Sequence, residues 1–181
     1  MTVDSGFCPR CGTALPARPP TSCVACGYQL FVNARPTSTV IIVEDSKYLV
    51  TLRAIEPRKG LWDLPGGFCD GFEHPADAAV REAREELGVT VHLGQFVGMY
   101  VGSYQFQNEM VPVLDCFWFA TIVAGEITLA ADEVSDYAWL PLDDPPDLAF
   151  DTMNRAILDA RVLHAGQRDS PTLIGSAEDL R

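Results

Sequence analysis

Residues 67–89 read GFCDGFEHPADAAVREAREELGV, and most of what this 181-residue chain is follows from them. The second half carries a helical period. Ala76–Leu87 has Pro75 immediately before it, where a missing N–H costs little, and Gly88 immediately after it, a residue suited to ending a helix. On a wheel of about 100° per residue, Ala76, Val80, Ala83 and Leu87 form an apolar stripe expected to face the core, and Asp77 and Arg84 point to solvent. Glu82, Glu85 and Glu86 fall within about one 100° arc on a third face. Carboxylates at such spacings repel one another by a few tenths of a kcal/mol, and taken alone they describe a solvated face.

The setting changes that reading. Leu64-Pro65-Gly66-Gly67 is a turn whose glycines let backbone approach an ion or ligand closely. Glu73 follows, and Arg81 lies four residues before Glu85, within ion-pair reach. Several hard oxygen donors around one point suit Mg²⁺ or Mn²⁺, which keep waters and bridge phosphate groups.

Gly67, five residues, Glu73, seven residues and then Arg81-Glu82-Ala83-Arg84-Glu85-Glu86-Leu87-Gly88-Val89 resembles the Nudix box, G-x5-E-x7-R-E-U-x-E-E-x-G-U. Every invariant letter is met. Ala83 is smaller than the usual aliphatic, and Phe72 stands where glycine commonly precedes the first Glu; neither removes a catalytic group. The resemblance implies an α/β fold, an α/β/α sandwich, and hydrolysis of a nucleoside diphosphate linked to another moiety, of the ADP-ribose, FAD or NADH type. It also implies that Glu82, Glu85 and Glu86 hold the divalent ions with the Gly67 carbonyl, that Arg81 orients Glu85, and that Glu73 fixes the loop. Bridging Mg²⁺ would neutralise the diphosphate and activate a water. The box leaves the base open: Glu82 itself, or a carboxylate on a later loop. Glu133, in ADEVSDYAWLP, is the candidate there, with Glu109 of an expected Gln105–Met110 loop as a second.

Around this segment, Ser38–Glu44 and Lys47–Arg53 read as a hairpin about Glu44-Asp45-Ser46. Val89–Val101 and Val111–Val123 read as strands, the second apolar on both faces and so central. Asp136–Leu142 is a further strand and Phe150–His164 a closing amphipathic helix. Asp115, alone in an apolar strand, is expected to be a hydrogen-bonded core acid. The expected division is a module over 1–35, the box-bearing domain over 36–165 and a tail over 166–181.

The module carries Cys8-Pro9-Arg10-Cys11-Gly12 and Cys23-Val24-Ala25-Cys26-Gly27. Each pair can close a tight knuckle, and four thiolates suit a closed, structural Zn²⁺ site, hence a small zinc ribbon. A disulfide framework is the rival; the start MTVDSGFCPRC shows no secretory leader, so a cytoplasmic location is expected. Cys69 and Cys116 are expected to pack, and His74, His92 and His164 to be structural or solvent-facing. The ribbon-plus-box order resembles the NADH pyrophosphatases, but their S-Q-P-W-P-F-P-x-S motif has no match here, which leaves ADP-ribose, FAD and nucleoside triphosphates open. A ligand-sensing, non-catalytic role is the contrasting class.

The net charge is −12, and the whole excess lies between Glu85 and Asn154, where 70 residues contain twelve acids and no Lys or Arg. Such a balance speaks against nucleic acid or anionic membrane as partner and for a small nucleotide held through metal. Cations for its phosphates come from outside the stretch: Arg53, Arg58 and Lys59 are the candidates, with Tyr104, Tyr100 and Phe106 as aromatic surfaces for a base. A homodimer is an open expectation.

Overall fold

The structure, a computed structural model, describes residues 6–168 and side chains as far as Gly166. The cysteine module has a bridge between Phe7 and Ala14 and a short ladder of β1 (Thr21–Ser22) with β2 (Gln29–Leu30). In each C-x-x-C-G the glycine amide donates to the first cysteine's carbonyl, Gly12 to Cys8 at 2.8 Å and Gly27 to Cys23 at 2.9 Å. Gly12 and Gly27 take φ of +73° and +72°, the left-handed region that favours glycine. The four cysteines are free thiols whose sulfurs lie within 4.8 Å of one another. Cys8 and Cys26 sit 3.8 Å apart and Cys11 and Cys23 3.6 Å. A tetrahedral ion with Zn–S bonds of about 2.3 Å sets an S···S edge of about 3.8 Å, so the cluster is compatible with zinc.

Beyond it, β3 (Arg35–Glu44) turns through Asp45 and Ser46 into β4 (Lys47–Arg53). The expected hairpin is paired only at Val43–Tyr48 and Glu44–Lys47. The strands then part, because each carries a doubly buried run, Val40-Ile41-Ile42 and Tyr48-Leu49-Val50, that needs cover on both sides. On one side β3 pairs in parallel with β8 (Glu109–Ala124), which pairs with β7 (Thr90–Phe106), and on the other with β6 (Gly66–Phe68). β4 pairs with β5 (Trp62–Asp63) and β9 (Val134–Pro141).

Two helices close the layers. α1 (Pro75–Leu87) sets Ala79, Ala83 and Leu87 against Val40, Ile42, Leu49 and Val91. α2 (Asp151–Arg168) sets Met153, Ala156, Ile157 and Ala160 against Ile41, Tyr48, Val50 and Phe117 on the opposite face. The result is the expected α/β/α arrangement. The buried face of α1 is Ala78, Ala79, Glu82, Ala83 and Leu87, rotated from the stripe read off the wheel: Ala76 and Val80 are only half-buried, and Glu82 lies on the inner side. His74 caps the helix, its Nδ1 accepting from the Ala76 amide at 3.1 Å, and Gly88 ends it at φ +69°.

β8 is central, as expected, but β7 and β8 run on to a two-residue turn, Gln107-Asn108, at φ +47° and +66°. The expected Gln105–Met110 loop therefore shrinks to that turn between strand ends, and Glu109 pairs with Phe106 beside the hairpin tip. Polar residues at a tight turn look like a loop in sequence. α2 likewise extends over 166–168, the first residues of the expected tail; 169–181 lie outside the described residues. No helix among the described residues is long and apolar enough to cross a membrane.

Leu87, fully buried where α1 meets β3 and β8, tests this packing. Leu87→Ala should cost roughly 2–5 kcal/mol in urea unfolding; a negligible loss would contradict the assigned core.

Candidate active site

Arg81 organises the box. Its Nε and Nη2 donate to the two oxygens of Glu73, each at 2.9 Å. Nη1 donates to Glu82 at 2.7 Å and Glu85 at 2.8 Å, and Nη2 also reaches the Phe68 carbonyl at 3.0 Å. One guanidinium thus ties α1 to the loop before it and to β6, the planar donor fork that Lys lacks. Glu73 further accepts from the Asp70 amide at 3.0 Å. Bonded to Arg81 first and to that amide second, its carboxyl is lowered to about 2.

Glu82 lies under the glycine turn. A Cβ on Gly67 would stand 2.5 Å from Glu82 Oε1, so only glycine admits this approach. Glu86 Oε2 accepts from the Gly66 amide at 3.2 Å. Burial raises the Glu82 carboxyl, against the pull of Arg81. Burial raises Glu86 well above the usual range, helped by the charges of Asp63 and Glu82. Glu85 is exposed. Glu133 is exposed too, yet near enough for its charge to push both Glu82 and Glu86 upward. Its carbonyl accepts from the Ala54 amide at 2.8 Å, which pins this loop to the end of β4.

Among the described residues only the cysteines bring three or more ligand atoms within 4.8 Å of one another; the glutamates are engaged by Arg81 and the Gly66 amide. The donor set nonetheless fits a hard divalent cation. Glu82 and Glu86 are carboxyls that burial and mutual repulsion disfavour as anions, and a cation would relieve both terms.

Beside this cluster opens a cleft of about 1360 Å³, walled by the 56–61 loop, the glycine turn, β7 and the start of α2. Arg53, Arg58, Lys59 and Tyr104 all line it. Arg53 is heavily engaged: Nε donates to the Pro57 carbonyl at 2.8 Å, Nη1 pairs with buried Asp63, Nη2 reaches the Tyr104 hydroxyl at 3.5 Å, and the guanidinium stacks 5.1 Å from the Phe150 ring. Tyr104 meets Phe68 edge-on and Phe150 at a tilt, each at 5.4 Å, making an aromatic wall.

Tyr100 is absent from that wall. Its hydroxyl donates to Asp159 at 2.5 Å and Arg155 covers its ring. Phe106 packs on Phe68 and under Arg35. His92 and His164 line a separate hollow of about 440 Å³, away from the box. Burial raises the Cys69 thiol to about 11 and also raises Cys116.

The sequence points to none of three cleft residues, Asp63, Phe150 and Arg155, and assigns a fourth, Asp115, to the core. Asp63 was visible as the acid directly before Leu64-Pro65-Gly66-Gly67, and Asp115 as an acid in a hydrophobic strand. Arg155 is the first base after the acidic stretch; only the fold brings it and Phe150 to the cleft.

A family model described as NUDIX domain matches residues 34–160. The chain belongs to the Nudix family. It is 31% identical over 124 residues to an ADP-ribose pyrophosphatase of Methanocaldococcus jannaschii, covering 68% of this chain and 72% of that one. An NAD-capped RNA hydrolase NudC of Pseudomonas aeruginosa is 28% identical over 175 residues, 93% of this chain but 60% of its own length. In three dimensions a Nudix hydrolase from Nitrosomonas europaea superposes with a TM-score of 0.70 at 21% identity, covering 91% of this chain and 94% of that one. This Nudix chain thus spans about three-fifths of the NudC relatives it matches.

Two outcomes follow from the Arg81 hub. Arg81→Lys keeps the charge and loses the fork, and activity should fall roughly 10–100-fold; a wild-type rate would remove Arg81 from its organising place. Glu73 titrates at about 2 in the folded chain against an ordinary 4.5, so its stabilisation is complete above the higher value and lost as pH falls through the lower. Urea midpoints of wild type and Glu73→Gln should differ at pH 6 and converge toward pH 2; a gap independent of pH would contradict the Glu73–Arg81 pair.

Proposed function

We propose that the chain is a Mg²⁺- or Mn²⁺-dependent pyrophosphatase that cleaves a nucleoside diphosphate linked to another moiety, of the ADP-ribose type. The observation that carries the reading is the cluster of unfavourably buried Glu82 and Glu86, held by Arg81 and Gly66, at the edge of an aromatic-walled cleft. The likeness to an ADP-ribose pyrophosphatase supports the substrate class. Glu82, Glu85, Glu86 and the Gly67 carbonyl would hold the cations, which when bound neutralise the diphosphate and activate a water. Arg81 and Glu73 set the frame. Glu133, exposed beside the cluster, takes the water's proton. Arg58 and Lys59 on the cleft wall face the phosphates. Arg53 holds Tyr104 and Phe150 in place for the base.

The module over 1–35 holds one structural zinc, and the Nudix domain spans 36–165. The match to a NudC relative covers 93% of this chain and so reaches into this module, which keeps NADH among the substrates to be tried. A small nucleotide is the partner in this account, in a cytoplasmic protein.

Glu86→Gln should lower turnover by about 100-fold or more without lowering the unfolding midpoint; full activity would sink the metal assignment. EDTA should abolish hydrolysis and Mg²⁺ restore it. Because Glu82 and Glu86 must shed protons to take a cation, metal affinity should rise with pH. ADP-ribose should give AMP and ribose 5-phosphate; release of inorganic pyrophosphate from nucleoside triphosphates, with ADP-ribose, FAD and NADH left intact, would favour a triphosphate pyrophosphohydrolase instead. Elemental analysis should find one zinc per chain.

A further inference from the structure

We propose that Asp115 and Thr37 form a sugar-hydroxyl subsite on the floor of the cleft, accepting from a vicinal diol of the substrate's ribose. The inference rests on the cleft being a nucleotide site. Sequence reasoning makes Asp115 a hydrogen-bonded core acid, yet in the fold it lines the cleft, on the inner strand β8 beside Thr37 of β3. The Thr37 hydroxyl donates to Oδ1. Among the described residues no cation pairs with Asp115 and Oδ2 accepts no hydrogen bond. Its charge also bears on Asp63. Half-buried and lining the cleft, the carboxylate leaves Oδ2 open to donors from a ligand.

Gly102 of β7, opposite Val113 and so diagonal to Asp115, lets Thr152 of α2 close in at the edge of this floor. A Cβ there would stand 2.6 Å from Thr152 Cγ2 and 3.8 Å from Asp115 Oδ2, so a side chain at 102 would push α2 away and crowd the carboxylate. Thr37, its proton committed to Oδ1, offers only its oxygen. Oδ2 and Thr37 Oγ1 are thus acceptors alone, which repel phosphate oxygens and suit a pair of O–H groups. Phe68, Thr37 and Asp115 are register neighbours on β6, β3 and β8. At about 4.8 Å per strand, Asp115 lies about 10 Å from Phe68, the residue after Gly67. That is the scale of a phosphate-linked pentose reaching away from the metal side.

The test is calorimetric and needs no turnover. Affinities of wild type, Asp115→Asn and Asp115→Ala, as purified and without added Mg²⁺ or Mn²⁺, are measured for ADP-ribose, for its analogues lacking the 2- and 3-hydroxyls of one or the other ribose, and for the analogue lacking the base amino group. Wild type should prefer ADP-ribose to one dideoxy analogue by about tenfold or more. In both variants that gap should shrink to under about threefold, with KM raised and kcat little changed where hydrolysis is seen. Asp115→Ala carries the comparison if the asparagine variant does not fold. A gap that survives in the variants, or a wild type indifferent to both sets of hydroxyls, overturns the subsite. So does a loss confined to the analogue without the amino group. If wild type hydrolyses none of these ligands yet shows the gap and loses it on substitution, the subsite stands and the pyrophosphatase reading fails.

Discussion

The Arg81 guanidinium is the contact on which the site depends. It joins Glu73, Glu82, Glu85 and the Phe68 carbonyl, and so fixes helix, loop and β6 to one another. Without it, three glutamates on neighbouring turns would repel and splay toward solvent. With it, Glu82 is drawn under Gly67, and Glu86 is left facing the Gly66 amide and the charge of Asp63. The price in desolvation is borne by the two inner carboxyls, and a divalent cation would remove it.

The charge distribution has the same logic on a larger scale. Twelve acids and no base between Glu85 and Asn154 leave β7, β8 and β9 without a cation of their own. The cations at the cleft come from its two flanks: Arg53, Arg58 and Lys59 at and beyond the end of β4, and Arg155 in the first turns of α2. Arg53 and Arg155 are both stacked on aromatic rings, Phe150 and Tyr100. They act as fasteners of the cleft as much as charges within it, which leaves Arg58 and Lys59 as the cations on its wall without such a stack.

Much of this was legible in the sequence because it is local. The box has fixed spacing, so Glu73, Arg81, Glu82, Glu85 and Glu86 could be named together, and the two C-x-x-C-G knuckles announce the convergence of four sulfurs. The central place of β8 follows from its apolar run. What stayed hidden depends on pairing across the sheet. Asp115 resembles a core acid until Thr37 and Gly102 are set beside it, and Phe150 belongs to no motif. Tyr100 and Tyr104 sit on one strand, yet one is tied to Asp159 on α2 and the other faces the cleft. The rotation of the buried face of α1 has a similar origin: glycine at 67 makes room for Glu82 on the inner side, against a wheel that sorts residues by polarity.

The central claim is that the glutamates gathered by Arg81 bind a divalent cation. Anomalous diffraction from crystals soaked in Mn²⁺ tests it most directly. A peak bounded by Glu82, Glu85, Glu86 and the Gly67 carbonyl, and lost in Glu86→Gln, is the result expected. Manganese bound elsewhere, or no peak at concentrations that support hydrolysis, would contradict it.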